Sequence, residues 1–148
     1  MSGMRYTYPV RLKPDESGRL IVHFPDLPEA LTDGADETEA LTEAADCLSE
    51  ALAGRVNRHE NIPTPSPLRR GLYAVEPEPT IALKVALYEA LRARRMTVAH
   101  LARILGVAER EAARLLDPRI HARLTKLETA LSALGYQIGI EIRERGLA

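Results

Sequence analysis

Apolar and polar residues alternate from Arg5 to Leu12. Tyr6, Tyr8, Val10 and Leu12 fall on one side and Arg5, Thr7 and Arg11 on the other, which is the two-residue period of a strand. Pro9 has no amide proton for a ladder, so that part of the strand is expected at an edge or a bulge. Asp15-Glu16-Ser17-Gly18 has turn composition and Leu20 to Phe24 reads as the returning strand of a hairpin. Residues 25–34 read as loop, punctuated by Pro25, Pro28 and Gly34, with a short strand at Ala30 to Thr32. From Asp36 the period lengthens. Asp36 and Glu39 have capping-box spacing, and Leu41, Ala44, Ala45, Leu48, Leu52 and Val56 then form one helical stripe, with Glu37, Glu43, Asp46 and Glu50 on the opposite face. A helix of this kind packs on a sheet. The Pro63–Pro67 segment closes it, and Leu72 to Val75 supplies one more strand.

Beyond Pro77 and Pro79 the pattern becomes helical. Leu83, Leu87 and Leu91 mark a helix over 81–94, and Thr97 caps a short helix over 98–105. Gly106 stands where a helix end favours positive φ, and further helices are expected over 108–116 and 119–134. The last element, Tyr136 to Arg143, alternates cleanly, with Tyr136, Ile138, Ile140 and Ile142 on one face. A lone strand leaves backbone groups unsatisfied on both edges, so it is expected to pair with a second copy and give a homodimer or higher even oligomer. The fold class is therefore α+β. A ββ(β)αβ unit over 1–76 precedes an all-α unit over 80–148 that carries the C-terminal strand.

Charge separates the same two regions. Residues 1–67 hold 6 Lys and Arg against 12 Asp and Glu, a net of −6, whereas residues 68–148 hold 14 against 9, a net of +5. The whole chain, at −1 over 148 residues, conceals this division. Such asymmetry points to different partners for the two units, a basic protein for the first and phosphate for the second. A single cysteine, Cys47, rules out an intramolecular disulfide and makes a Cys-rich zinc site untenable. No stretch has the roughly 20 apolar residues of a membrane span, and Met1 to Val10 carries no signal-peptide pattern. A cytoplasmic protein is expected.

The segment Thr97 to Leu116 has helix-turn-helix grammar. Leu101 and Ala102 pack the first helix, Gly106 turns the chain, Val107 plugs the corner, and Ala112, Leu115 and Leu116 anchor the second helix. Glu109, Arg110, Ala113 and Arg114 then point outward, where a recognition helix presents side chains to base edges and arginine donates twice to guanine. Arg103, Arg119 and Arg123 are placed for phosphates, and Thr97 and His100 sit at the DNA-facing start of the first helix.

Other candidate chemistry is weak. Asp15, Asp26, Asp33 and Asp36 form a conceivable Mg²⁺ cluster for phosphoryl chemistry, and Asp15 with Asp26 a conceivable ribonuclease site. Yet Asp15 lies in a turn, and Asp33 and Asp36 flank a helix start that favours acids. His23, His59, His100 and His121 fall on four separate elements, and Cys47, Ser17 and Ser49 have no adjacent histidine. No catalytic constellation, metal site or cofactor is expected, and the chain does not read as an enzyme.

The motifs Tyr6-x-Tyr8, Asp15-x-x-Gly18, Val22-x-Phe24-Pro25-Asp26-Leu27-Pro28, Gly34, Glu39-Ala40-Leu41, Ala44 and Pro63-x-Pro65-Ser66 resemble the HicB-type antitoxins of bacterial toxin–antitoxin operons. With a C-terminal helix-turn-helix of the phage-repressor kind, the resemblance covers nearly the whole chain. Glu29-Ala30 departs from the Gly-Cys usual after Pro28. The resemblance implies a truncated RNase H-like N-terminal unit without catalytic acids. That unit would bind a small basic mRNA-cleaving toxin of the HicA type, while the C-terminal unit would bind the operon's own promoter DNA and repress it. Glu43, Asp46 and Glu50 are the expected toxin contacts. The alternative is a solitary helix-turn-helix repressor whose N-terminal unit senses a ligand.

Overall fold

Strand alternation near the N-terminus produces an antiparallel hairpin of β1 (Tyr8–Pro14) and β2 (Leu20–His23), with Leu12 opposite Val22. A third strand, β3 (Leu31–Gly34), pairs with β2, placing Thr32 opposite Val22 and Leu31 opposite His23. The chain then enters helix α1 (Glu37–Asn57) and returns as β4 (Tyr73–Val75). The computed structural model describes residues 3–145; residues 1–2 and 146–148, the outermost of the two expected units, lie outside them. The sheet order is β3-β2-β1-β4, antiparallel throughout. Pro9 is buried within β1, opposite Ala74. It is tolerated because β1 changes partners along its length: residues 8–10 pair only with β4 and residues 11–14 only with β2.

The expected cap of α1 forms. The Asp36 carboxylate accepts from the Glu39 amide at 2.8 Å, and the Glu39 carboxylate reaches back to the Ala35 amide at 2.7 Å. Ala40, Ala44, Leu48, Leu52 and Val56 are buried against Tyr8, Val10, Val22 and Phe24, so α1 covers one face of the sheet. The loop before β3 is latched to the proline-rich segment, where the Asp26 carboxylate accepts from both the amide and the hydroxyl of Ser66.

Four further helices follow among the described residues: α2 (Pro79–Ala93), α3 (Val98–Leu105), α4 (Glu109–Leu116) and α5 (Leu124–Ala133). They enclose a second core containing Leu101, Ala112, Leu115, Leu127 and Leu131. Helix α2 belongs to both cores. Its Val85 and Tyr88 pack with the sheet and α1, and its Leu87, Ala90 and Leu91 pack with α3 to α5.

Two expected elements are corrected. The helix expected over 119–134 begins only at Leu124, because the Asp117 carboxylate bonds the Arg119 amide and guanidinium and holds residues 117–120 in a turn. The expected strand Tyr136 to Arg143 is not a strand in the single chain, since no ladder partner lies beside it among the described residues. Tyr136 and Ile138 pack on the second core, but Ile140 and Ile142 stand 82% and 89% exposed.

Candidate functional site

Two exposed surfaces gather the residues singled out in the sequence. The first is the outer face of α1. The stripe through Ala40, Ala44 and Leu48 faces the sheet, which leaves Glu43, Asp46 and Glu50 at spacings of three and four residues on the exposed side. The aspartates once conceivable as a metal cluster are each engaged elsewhere. Asp15 accepts from Ser17 and from the Arg19 amide, Asp33 pairs with the Arg19 guanidinium at 2.9 Å, Asp26 holds Ser66 and Asp36 caps α1. No group of acidic, histidine or cysteine residues among the described residues has the arrangement of a metal site.

The second surface is built by α3, α4 and the start of α5. Thr97 caps α3 through its hydroxyl to the His100 amide at 3.2 Å, and the His100 Nδ1 accepts from the Thr97 amide at 3.1 Å. Both side chains therefore serve the helix end, with the His100 Nε2 edge left over. Gly106, at φ +68°, closes α3, and the Val107 amide returns to the Ala102 carbonyl. With Ala112 and Leu115 buried, α4 exposes Glu109, Arg110, Ala113 and Arg114 as its period dictates. Among the described residues Arg103, Arg110, Arg114 and Arg123 make no ion pair, so their guanidinium groups are available to a partner. Arg119 differs: it is held by both Asp117 oxygens at 3.0 Å, which keeps the Asp117 carboxyl below its ordinary range.

Tertiary structure adds residues that the sequence reading did not connect. Arg114, His121, Arg123 and Lys126 line a shallow depression of about 470 Å³ between α4 and the uncapped start of α5, with Glu111 paired to Lys126 at 3.3 Å. Lys126 stands one turn after Arg123, a spacing that was available as a signal. Lys84 is 2% exposed, and its ammonium donates to the carbonyls of Arg114 and Asp117 at 2.9 and 2.8 Å, capping the end of α4. Burial pulls its pKa down, against the nearby Asp117 charge. Its place one turn before Leu87 and Tyr88 was the sequence sign that it faces inward.

The dimerisation candidates divide. Tyr136 is fixed by the Arg94 guanidinium, at 2.8 Å to its hydroxyl and over its ring, while Ile140 and Ile142 have no apolar cover. Arg143 turns the same segment toward the sheet through Glu76 and Thr7.

Comparison with known proteins adds to this geometry. A family model described as the HicB_like antitoxin of bacterial toxin-antitoxin systems matches residues 7–86, which run from β1 into α2. Antitoxin HicB 1 of Photorhabdus laumondii is 36% identical over 91% of this chain and 86% of its own length. Antitoxin HicB of Escherichia coli K12 is 35% identical over 90% of this chain and 96% of its own. Antitoxin HicB of Pseudomonas fluorescens Pf0-1 is 32% identical over 86% and 88%.

Proposed function

Because the chain belongs to the HicB-like antitoxin family, a regulatory and not an enzymatic one, we propose that it neutralises a small basic mRNA-cleaving toxin of the HicA type and represses its own operon by binding promoter DNA. The observation that carries this reading is the segregation of charge. Carboxylates stand on the exposed face of α1, and exposed arginines without ion pairs among the described residues stand on α3, α4 and the start of α5. An acidic face suits a cationic toxin by charge complementarity, and a cationic face suits phosphate.

In this reading residues 1–76 form a truncated RNase H-like, toxin-binding unit with Glu43, Asp46 and Glu50 as contacts. Residues 80–148 form a helix-turn-helix unit of the phage-repressor kind. Helix α4 is its recognition helix, with Arg110 and Arg114 at base edges and Glu109 beside them. Arg103, Arg123 and, once freed from Asp117, Arg119 meet phosphates, and Thr97 and His100 order the start of α3. Tyr136, Ile138, Ile140 and Ile142 pair two copies, so that two recognition helices meet two half-sites. The protein acts in the cytoplasm, where both partners are found.

The test is a pull-down of the tagged full chain from its host, with the bound partner identified by mass. A small basic protein at near one-to-one ratio supports the antitoxin reading. DNA recovered without such a partner favours a solitary repressor. On the DNA side, Arg110→Ala should cost about 1–3 kcal/mol at the specific site. Arg119→Ala should weaken all sequences alike and flatten the salt slope. Equal losses for both on random DNA would make Arg110 a phosphate contact only.

A further inference from the structure

We propose that the open edge of β3 is the docking site for the basic partner, which adds an extended segment there as a fifth strand of the sheet. The proposal rests on the antitoxin reading, because it takes that partner to be the cationic toxin.

Strand β3 is outermost in the order β3-β2-β1-β4 and pairs only with β2, so its far side presents backbone donors and acceptors without a ladder. Of the usual guards of an exposed edge, Leu31-Thr32-Asp33-Gly34 has no lysine, proline or bulge; Asp33 is paired with Arg19 and Gly34 lies under α1, which leaves the Leu31 end open. Instead it carries Leu31 at 62% exposure. The opposite edge, β4, has only three residues, with Val75 buried and Tyr73 and Ala74 half-buried.

The two faces beside β3 differ in chemistry. Leu31 lies in register with His23 and Arg11, on the face turned away from α1. There it walls a shallow groove of about 480 Å³ with Phe24, Pro25 and Pro28, and Arg11, Lys13 and His23 contribute the polar lining. This groove accepts an apolar side chain and disfavours a cation. On the other side the Cys47 thiol lies against the Leu31 backbone. Glu43 and Glu50, four residues before and three after Cys47, occupy the same flank of α1 and are exposed. Asp46, three residues after Glu43 and four before Glu50, shares their exposed face. An added strand alternates its side chains between these two surroundings. The occupant is therefore an extended segment of alternating basic and apolar residues, the basic ones meeting Glu43 and Glu50 and the apolar ones seated beside Leu31.

The probe is the small basic toxin recovered with the full-length chain, titrated against wild type and three variants whose melting temperatures match it. Leu31→Lys should weaken binding at least about tenfold, because a charged edge opposes strand addition. The double change Glu43→Lys with Glu50→Lys, and Asp46→Lys to a lesser degree, should weaken it at low salt more than at high salt. Amides of residues 31–34 should gain protection from hydrogen exchange in the complex. Wild type that binds toxin without that protection, with Leu31→Lys binding equally well, overturns the proposal and leaves the antitoxin reading standing. Wild type that binds no toxin overturns both. Concentration-dependent protection of 31–34 in the free protein would assign the edge to a second copy and overturn the proposal as well.

Discussion

Single residues in this chain are constrained more by close approach than by chemistry. Gly34, at the end of β3, would place a Cβ 2.3 Å from the Ala40 amide nitrogen and 2.6 Å from its Cα, both backbone atoms of α1. Gly34→Ala must push strand and helix apart, and it should lower stability by about 1–3 kcal/mol, read as a lower urea midpoint at unchanged slope. Glu89 is constrained electrostatically. Its carboxylate accepts from the Tyr6 hydroxyl at 2.6 Å, yet burial raises its pKa against that bond and the Arg92 charge. Folded Glu89 therefore holds its proton to higher pH than unfolded Glu89. Its stabilising contribution is full below the ordinary carboxyl range and is lost as pH rises through the raised value. Glu89→Gln removes that loss, so its stability relative to wild type should improve as pH rises above the ordinary carboxyl range. A difference independent of pH would show that Glu89 titrates alike in both states.

At the scale of elements, α2 is the hinge-pin of the architecture. Its two faces serve two cores, and Lys84 ties it to the end of α4. Replacing Lys84 with Met keeps the apolar stem but leaves the Arg114 and Asp117 carbonyls without their donor. Lys84→Met should cost about 1–3 kcal/mol in urea denaturation and accelerate hydrogen exchange in α4. Weaker DNA binding would follow from a loosened α4, although Lys84 itself is buried. The element pattern was largely legible: α3 matches its expected span, the boundaries of α2 and α4 shift by one or two residues, and α1 starts behind its expected cap but ends at Asn57, before the proline-rich segment expected to close it. The start of α5 was misjudged because the Asp117 side chain competes with the helix for backbone donors, a local bond that hydrophobic periodicity does not register.

For the whole molecule, the C-terminal segment holds the question of assembly. Tyr136 and Ile138 are spent on the chain's own second core, and Ile140 and Ile142 extend into solvent with strand alternation and no ladder. If two copies pair there, Ile140→Asp should shift the mass measured by light scattering from dimer to monomer and loosen operator binding, while leaving toxin binding intact. A monomeric wild type would refute the pairing. Helix α2 is tied to the first core by the Tyr6 hydroxyl donating to Glu89 and by the Tyr88 hydroxyl donating to the Glu60 carbonyl.

Periods of two and of three to four residues are properties of adjacent positions, so the sequence alone determined most strands and helices and their buried faces, the strand expected at Tyr136 to Arg143 and the start of α5 excepted. The same local information placed Asp36, Thr97 and Gly106 at their caps and put Arg110 and Arg114 on the exposed side of α4. Pairing and clustering depend on residues far apart in the chain, and only the tertiary structure decided them. It closed β4 on β1 and left β3 as an open edge. It also turned Asp26 into a latch for Ser66 and brought Arg114, His121, Arg123 and Lys126 around one depression. Lys84 shows the division most clearly: its spacing before Leu87 and Tyr88 turns it inward, but the carbonyls 30 and 33 residues away that accept from its ammonium are brought to it only by the tertiary structure.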